Sequence, residues 1–354
     1  MTRRFHVYGL GNALVDLEYE VDDRFLDRHG IAKGHMTLVD AERQLQLSGE
    51  LADHAPRRCS GGSAANSLMA VAAFGGRSFY SCKVADDDVG RFFVHDLQAA
   101  GVATNAHDQS GDGISGQCLV LVTPDAERSM NTFLGISHSL GPEDVDEEAL
   151  RHAECLYLEG YLCSSDTARE AVIRARGIAR EAGVKLFGTL SDPAMVEHFR
   201  PQLAEMMGDR LDHLFCNEEE ALGWTGAADV AGAIDGLKDF ADSFALTLGG
   251  RGSLVWDGET LHEIDAVPIR PVDSTGAGDV YAGAYLYAVT HGYDARTAGA
   301  MEVHMERGRY RFDARRTLQR SWERNRFLHK WLGYCLHRGH RFPAEPALEA
   351  SDSD

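Results

Sequence analysis

The order of apolar and polar positions divides the chain into stretches of different rhythm. Phe5 to Leu10, FHVYGL, is a short β-rich run that leaves into a turn at GNALVD. Residues 13–21, ALVDLEYEV, alternate apolar and acidic positions, as a strand does when one face is wet. CSGGSAANSLMAVAAFGG, residues 59–76, is a Gly-Ser turn opening a helix of small residues that Gly75-Gly76 ends. Residues 116–137 predict a hairpin with its turn at Pro124-Asp125-Ala126-Glu127.

After the hairpin the rhythm changes. Residues 155–162 (CLYLEGYL), 184–190, 213–218 and 243–250 are short apolar strands. The stretches between them, such as DTAREAVIRARGIAREAG, carry apolar residues at helical spacing. Strand-helix alternation predicts an α/β fold in which helices cover a mainly parallel sheet. The half-polar stretches at about 13–40 and 114–136 fall outside that rhythm and predict a small β lid over one edge of the body. No internal repeat or low-complexity linker interrupts residues 1–299.

Composition narrows the function classes. No apolar run approaches the ~20 residues that span a bilayer, and the start MTRRFHVYGLG holds no signal-peptide core, so no membrane partner and a cytoplasmic address are expected. A net charge of −20 argues against nucleic acid, whose phosphates need clustered Lys and Arg. The seven cysteines include no C-x-x-C pair and read as buried small residues rather than zinc ligands. Asp86-Asp87-Asp88 reads as a charged loop, Glu218-Glu219 as a solvated helix start, and His6 and His213 as strand-flanking residues that are packed or exposed rather than catalytic. The sequence leaves monomer and homodimer open.

Two glycine patterns bear on chemistry. Gly9-Leu10-Gly11-Asn12-Ala13-Leu14 lacks the third glycine of a dinucleotide-binding turn and runs into a strand, which offers pyrophosphate no helix N-terminus. No phosphate-binding G-x-x-x-x-G-K-[ST] loop occurs. In DSTGAGDVYAGAYLYAV, residues 273–289, small residues Gly276-Ala277-Gly278 open an apolar helix with Asp279 in its first turn. Unpaired N–H groups there suit a phosphate, and glycines let it approach the backbone. Read alone, Asp279 is equally an acid favouring the helix start. Phosphoryl transfer, however, needs an anion hole beside a base, and this loop supplies both.

DSTGAGD resembles the D-T-x-G-A-G-D signature of the ribokinase-like (PfkB) sugar and nucleoside kinases. GGSAANSLMAVAAFGG, residues 61–76, is similar to that family's G-G-x-x-x-N signature. The resemblance covers about residues 5–299 and implies a three-layer α/β/α sandwich with a β lid, ATP as donor and a sugar-like hydroxyl as acceptor. It further implies that Asp279 is the base and that the Gly276, Ala277 and Gly278 amides form the anion hole. Asn12, Asp16, Gly61, Gly62 and Asn66 match acceptor-binding positions. Asn217 and Glu220 match an N-x-x-E motif acting on Mg²⁺ through water. Asn217, Thr247, Gly249 and Gly252 match nucleotide-binding positions, and Asp273 and Thr275 a monovalent-cation site, which K⁺ would fill.

Within the family, Arg128 in PDAERSMNTF resembles the lid arginine of the nucleoside kinases. GNALVD and YLEGYL are closer to adenosine kinases than to ribokinases. Leu14, Leu38, Met130 and Tyr161 match a purine pocket, and apolar or aromatic groups suit a base. Adenosine is therefore the expected acceptor and a free sugar such as ribose the alternative. After Gly299 the pattern departs from the family. From Met301 the chain carries 11 Lys and Arg against 8 Asp and Glu, and the change of charge and periodicity is what a shifted reading frame produces. This basic segment, 300–354, would then fail to complete the ATP site, leaving a nucleoside-binding protein with impaired ATP use as a further alternative.

Overall fold

The computed structural model describes residues 3–106, 111–125, 127–266, 276–306 and 309–313. Strands and helices follow in the order β1 (Phe5–Leu10), β2 (Leu14–Glu20), α1 (Asp23–His29), β3 (Met36–Leu38), α2 (Ala41–Glu50), β4 (Arg57–Gly61), α3 (Ser63–Ala73), β5 (Ser78–Ser81), α4 (Asp88–Ala99) and β6 (Ala103–Thr104). The predicted hairpin follows as β7 (Gly116–Val122) and β8 (Arg128–Phe133). Then come α5 (Glu147–Arg151), β9 (Ala153–Glu159), α6 (Asp166–Ala182), β10 (Lys185–Thr189), α7 (Pro193–Met207), β11 (Leu211–Asn217), α8 (Glu218–Thr225), α9 (Val230–Phe240) and β12 (Ala241–Thr247). The last are β13 (Ser253–Trp256), β14 (Leu261–Ile264), α10 (Ala277–Thr290), α11 (Ala295–Gly299), β15 (Glu302–Glu306) and β16 (Arg309–Asp313).

Among the described residues, nine strands form the main sheet in the order β14-β13-β12-β11-β10-β9-β1-β5-β6, every pairing parallel except β12–β13 and β13–β14. Its strands are apolar on both faces because helices cover both. Tyr8, Leu156 and Phe244 point to one core, with α6 to α9, while Val7, Tyr157 and Ala245 point to the other, with α3, α4 and α10. α6 shows why its segment is helical. Ala168, Ala171, Val172, Ala175, Ile178 and Ala179 form its buried stripe, Ser165 caps its start and left-handed Gly183 its end.

The lid is a five-stranded sheet, β3-β8-β7-β2-β4. The sequence spans 13–40 and 114–136 omit β4, whose Arg57, Arg58 and Cys59 are exposed and leave no alternating pattern to read. One further expectation needs correction. The strand expected over 155–162 ends at Glu159, because the Gly160 N–H turns to Ser191 Oγ at 2.7 Å and residues 160–164 form a 3₁₀ turn. The turn after β12 leads into an antiparallel edge formed by β13 and β14. The charged triplet resolves as capping: Asp87 accepts the Gly90 N–H at the start of α4. His6 and His213 are buried, as are Cys82, Cys118, Cys155, Cys163 and Cys216. β15 and β16 pair antiparallel, and residues 314–354 of the basic segment lie outside the described residues.

Candidate active site

Two glycine-led helix starts meet beneath the lid. α3 follows Gly62, φ 98°, and α10 follows Gly276, φ 73°, conformations that L side chains resist. Neither N-cap glycine has a side chain to cap its helix; at α3 the Ala64 N–H is met by Glu159, whereas the start of α10 is the kind of N-terminus that attracts an anion. Asp279, in the first turn of α10, reaches across to α3. Its Oδ1 accepts from Ser63 Oγ at 2.6 Å and its Oδ2 from Asn66 Nδ2 at 2.9 Å. Burial raises this carboxyl to about 6, and the two hydrogen bonds oppose the rise.

The lid supplies the opposite wall. Register aligns Leu38, Thr132, Cys118 and Asp16 across β3, β8, β7 and β2, and all four line the cavity. On the wet face read from residues 13–21, Asp16 is thus turned toward the cavity. Burial raises the Asp16 carboxyl to about 7, against Arg128 and with Asp279 and Glu18 adding to the rise. Gly61 lies against it: a Cβ there would stand 2.6 Å from both carboxylate oxygens.

The cavity between lid and body has a volume of about 390 Å³. Asn12, Leu14, Asp16, Leu38, Gly62, Asn66, Met130, Tyr161, Asn217, Thr247, Glu220, Gly276, Gly278 and Asp279 all line it. Gly61 stands behind Asp16, and Ala277 belongs to the first turn of α10 without reaching the wall. Gly249 and Gly252 shape the turn between β12 and β13, away from the wall. Arg128 is also off the wall, its guanidinium 3.2 Å from Glu18. Asp273 and Thr275 lie outside the described residues.

Asn217 and Glu220 form a reciprocal cap on α8. Glu220 accepts both the Asn217 N–H, at 3.0 Å, and Asn217 Nδ2, at 2.7 Å, and Asn217 Oδ1 accepts the Glu220 N–H. Burial raises Glu220 to about 7, with Asp192, Glu219 and Asp279 adding to it. No Lys or Arg stands among the described residues lining the cavity. A buried carboxylate with only acids for charged neighbours fits a cation, and the oxygen donors suit Mg²⁺ holding most of its own water.

Glu159 was not singled out by the sequence. Its buried carboxylate accepts the Asn12 N–H at 2.8 Å, Asn12 Nδ2 at 3.0 Å and the Ala64 N–H at 2.8 Å, tying the β1–β2 loop to the start of α3. An acid at the end of the apolar run CLYLE was the available signal, since a buried charge persists only where donors meet it. Ser63, Ser191 and Asp192 on the cavity wall were likewise missed.

Sandwich, lid and the cavity between them define the ribokinase-like class of proteins. The chain belongs to the pfkB family of carbohydrate kinases, whose profile matches residues 31–301. Members of this family phosphorylate alcohol groups of sugars and nucleosides. A probable sugar kinase from Rhizobium etli CFN 42 is similar in structure, with 36% identity, a TM-score of 0.77, and 84% of this chain and 90% of that one covered. The adenosine kinase from Sinorhizobium meliloti is similar to the same degree, with 36% identity, a TM-score of 0.75 and the same coverage of 84% and 90%. The guanosine-inosine kinase of Escherichia coli K12 is 26% identical over 254 residues, which make up 70% of this chain and 58% of that protein. No described helix is long and apolar enough to cross a membrane.

Proposed function

We propose that the protein transfers the γ-phosphoryl group of ATP to the 5′-hydroxyl of a nucleoside, with adenosine the first acceptor to test. The observation that carries this reading is the position of Asp279: beside the uncapped start of α10, in the same cavity that the lid lines with Leu14, Met36, Leu38 and Met130. That apolar wall suits a purine ring, while Asn12, Asp16 and Asn66 suit paired hydroxyls. The Sinorhizobium meliloti and Escherichia coli relatives, both named as nucleoside kinases, support the same class.

Asp279 takes the proton of the 5′-hydroxyl as that oxygen attacks the γ-phosphorus and the bond from phosphorus to the bridging oxygen breaks, releasing ADP. The Gly276, Ala277 and Gly278 amides receive the charge on the transferring group, and Arg128 joins them as the lid closes. Mg²⁺, held through water by Asn217 and Glu220, would supply neutralisation of the donor phosphates. Asp273 and Thr275 are the residues we assign to a monovalent cation. A free sugar is the second reading, favoured by the hydroxyl-binding set alone.

The test is ADP release from Mg-ATP with adenosine, guanosine and ribose in parallel, and Asp279→Ala as control. Turnover with adenosine that the variant loses supports the reading. Turnover with ribose alone replaces it with the sugar kinase, and the absence of ADP release with every acceptor overturns it.

A further inference from the structure

We infer that Ser63 is a positioning residue for the base: its hydroxyl holds Asp279 Oδ1 ready to receive the acceptor's proton, and reverses from donor to acceptor once the proton arrives. The inference rests on the kinase reading of Asp279 and adds a residue to it. Ser63 is the first residue of α3 and Asn66 lies three positions on, so both project toward the start of α10. Each binds a different oxygen of the same carboxylate, at 2.6 and 2.9 Å.

The two partners are not equivalent. An amide NH₂ can only donate, so Asn66 favours an unprotonated Oδ2 in every state. A hydroxyl donates or accepts by turning about its C–O bond. Ser63 can therefore pair with Oδ1 before and after proton transfer, and Oδ1 is the oxygen whose protonation leaves no partner stranded. In the step, the acceptor's O–H bond breaks, an Oδ1–H bond forms, and the Ser63 O–H bond stays intact. Among the described residues, the titratable groups of neighbouring elements that interact electrostatically with Asp279 are Asp16 on β2, Glu159 and Tyr157 on β9, Tyr161 after it, Tyr80 on β5 and Glu220 on α8. All are acids or phenols, and none helps Asp279 stay ionised. That task falls to Ser63 and Asn66, the two groups that lower its proton affinity.

The test compares wild type, Ser63→Ala and Ser63→Thr by two readouts. One is the titration of the Asp279 side-chain carboxyl carbon by NMR, assigned with Asp279→Asn. The other is the pH profile of kcat/KM for the nucleoside. In Ser63→Ala the titration midpoint and the acid limb should both rise by about one pH unit, as expected for losing one hydrogen bond to a charged group. Ser63→Thr should restore both, and acceptor KM should stay within about threefold of wild type. A midpoint that stays within a few tenths of wild type in Ser63→Ala overturns the inference, whatever the rate does. So does an unmoved acid limb accompanied by a rate lowered evenly across pH. A midpoint that rises in a chain that phosphorylates no acceptor upholds the pairing and instead sinks the kinase reading.

Discussion

Gly283→Ala tests whether the close approach of α3 and α10 sets the geometry of the base. Gly283 faces α3 from the second turn of α10, and a Cβ there would collide with the Ser67 carbonyl oxygen and stand 2.6 Å from Ala70 Cβ. Ordinary contact needs 3.4 Å or more, so the helices must part by about 1 Å. Alanine gains about 0.5–1 kcal/mol in an exposed helix by helix propensity. Overpacking against backbone costs about 1–3 kcal/mol, so it wins, with net destabilisation of about 1–2 kcal/mol and, for a chain of 354 residues, a fall in Tm of about 1–3 °C. The same 1 Å would stretch the Ser63 and Asn66 hydrogen bonds to Asp279, now 2.6 and 2.9 Å, past useful length. A misplacement of that size costs about 10²-fold in kcat. Gly177→Ala is the control, since Gly177 is exposed in α6 and a Cβ there meets nothing within 4 Å. Thermal melts and ADP release measure both. A Gly283→Ala protein that melts as high as wild type, with kcat within threefold, would refute the reasoning.

Leu38→Ser should raise KM for adenosine about fivefold or more and leave ribose kinetics nearly unchanged, because Leu38 is 50% exposed on the cavity wall and a base would cover it. Equal effects on both acceptors would sink the purine pocket. Tm should fall as pH rises from about 4 to about 7. Asp16, Glu159 and Glu220 are raised to about 7 and Asp279 to about 6, so the folded state keeps protons there that the unfolded chain has released. His6 and His213, held neutral by burial, act in the opposite sense up to about 6.5, but they are two groups against four. Melting curves in matched buffers decide it, and a Tm climbing steadily across this window would contradict the assignment.

What the sequence revealed follows a physical division. Glycine-rich turns are local: Gly62 and Gly276 are needed for their own backbone angles, and a reader of the chain meets them beside Ser63 and Asp279. The parallel body was legible because strands buried on both faces stay largely apolar, as in Phe5–Leu10 with its single His6. Pairings between distant segments were not legible. Glu159 serves Asn12 and Ala64, 147 and 95 positions away, and nothing around CLYLEGYL names those partners. β4 was hidden because its outward residues are arginines on an edge, where hydrophobic alternation has no reason to appear.

The charge of the cavity links acceptor to donor. Asp16, Glu159, Asp192, Glu220 and Asp279 line it, with no Lys or Arg among the described lining residues. Such a wall favours an acceptor that is neutral and rich in hydroxyls, since each carboxylate can accept from a hydroxyl while an added phosphate would meet repulsion on every side. The same repulsion bears on the donor, whose triphosphate carries several negative charges. Under the proposed function its approach therefore depends on positive potential other than Lys or Arg of the wall: the start of α10, the guanidinium of Arg128 on the lid, and the divalent cation proposed at Glu220. A nucleoside meets none of these demands and can enter first. Under the proposed function, the acid-lined cavity selects the acceptor by neutrality, and the lid that covers the base also carries the arginine the donor needs.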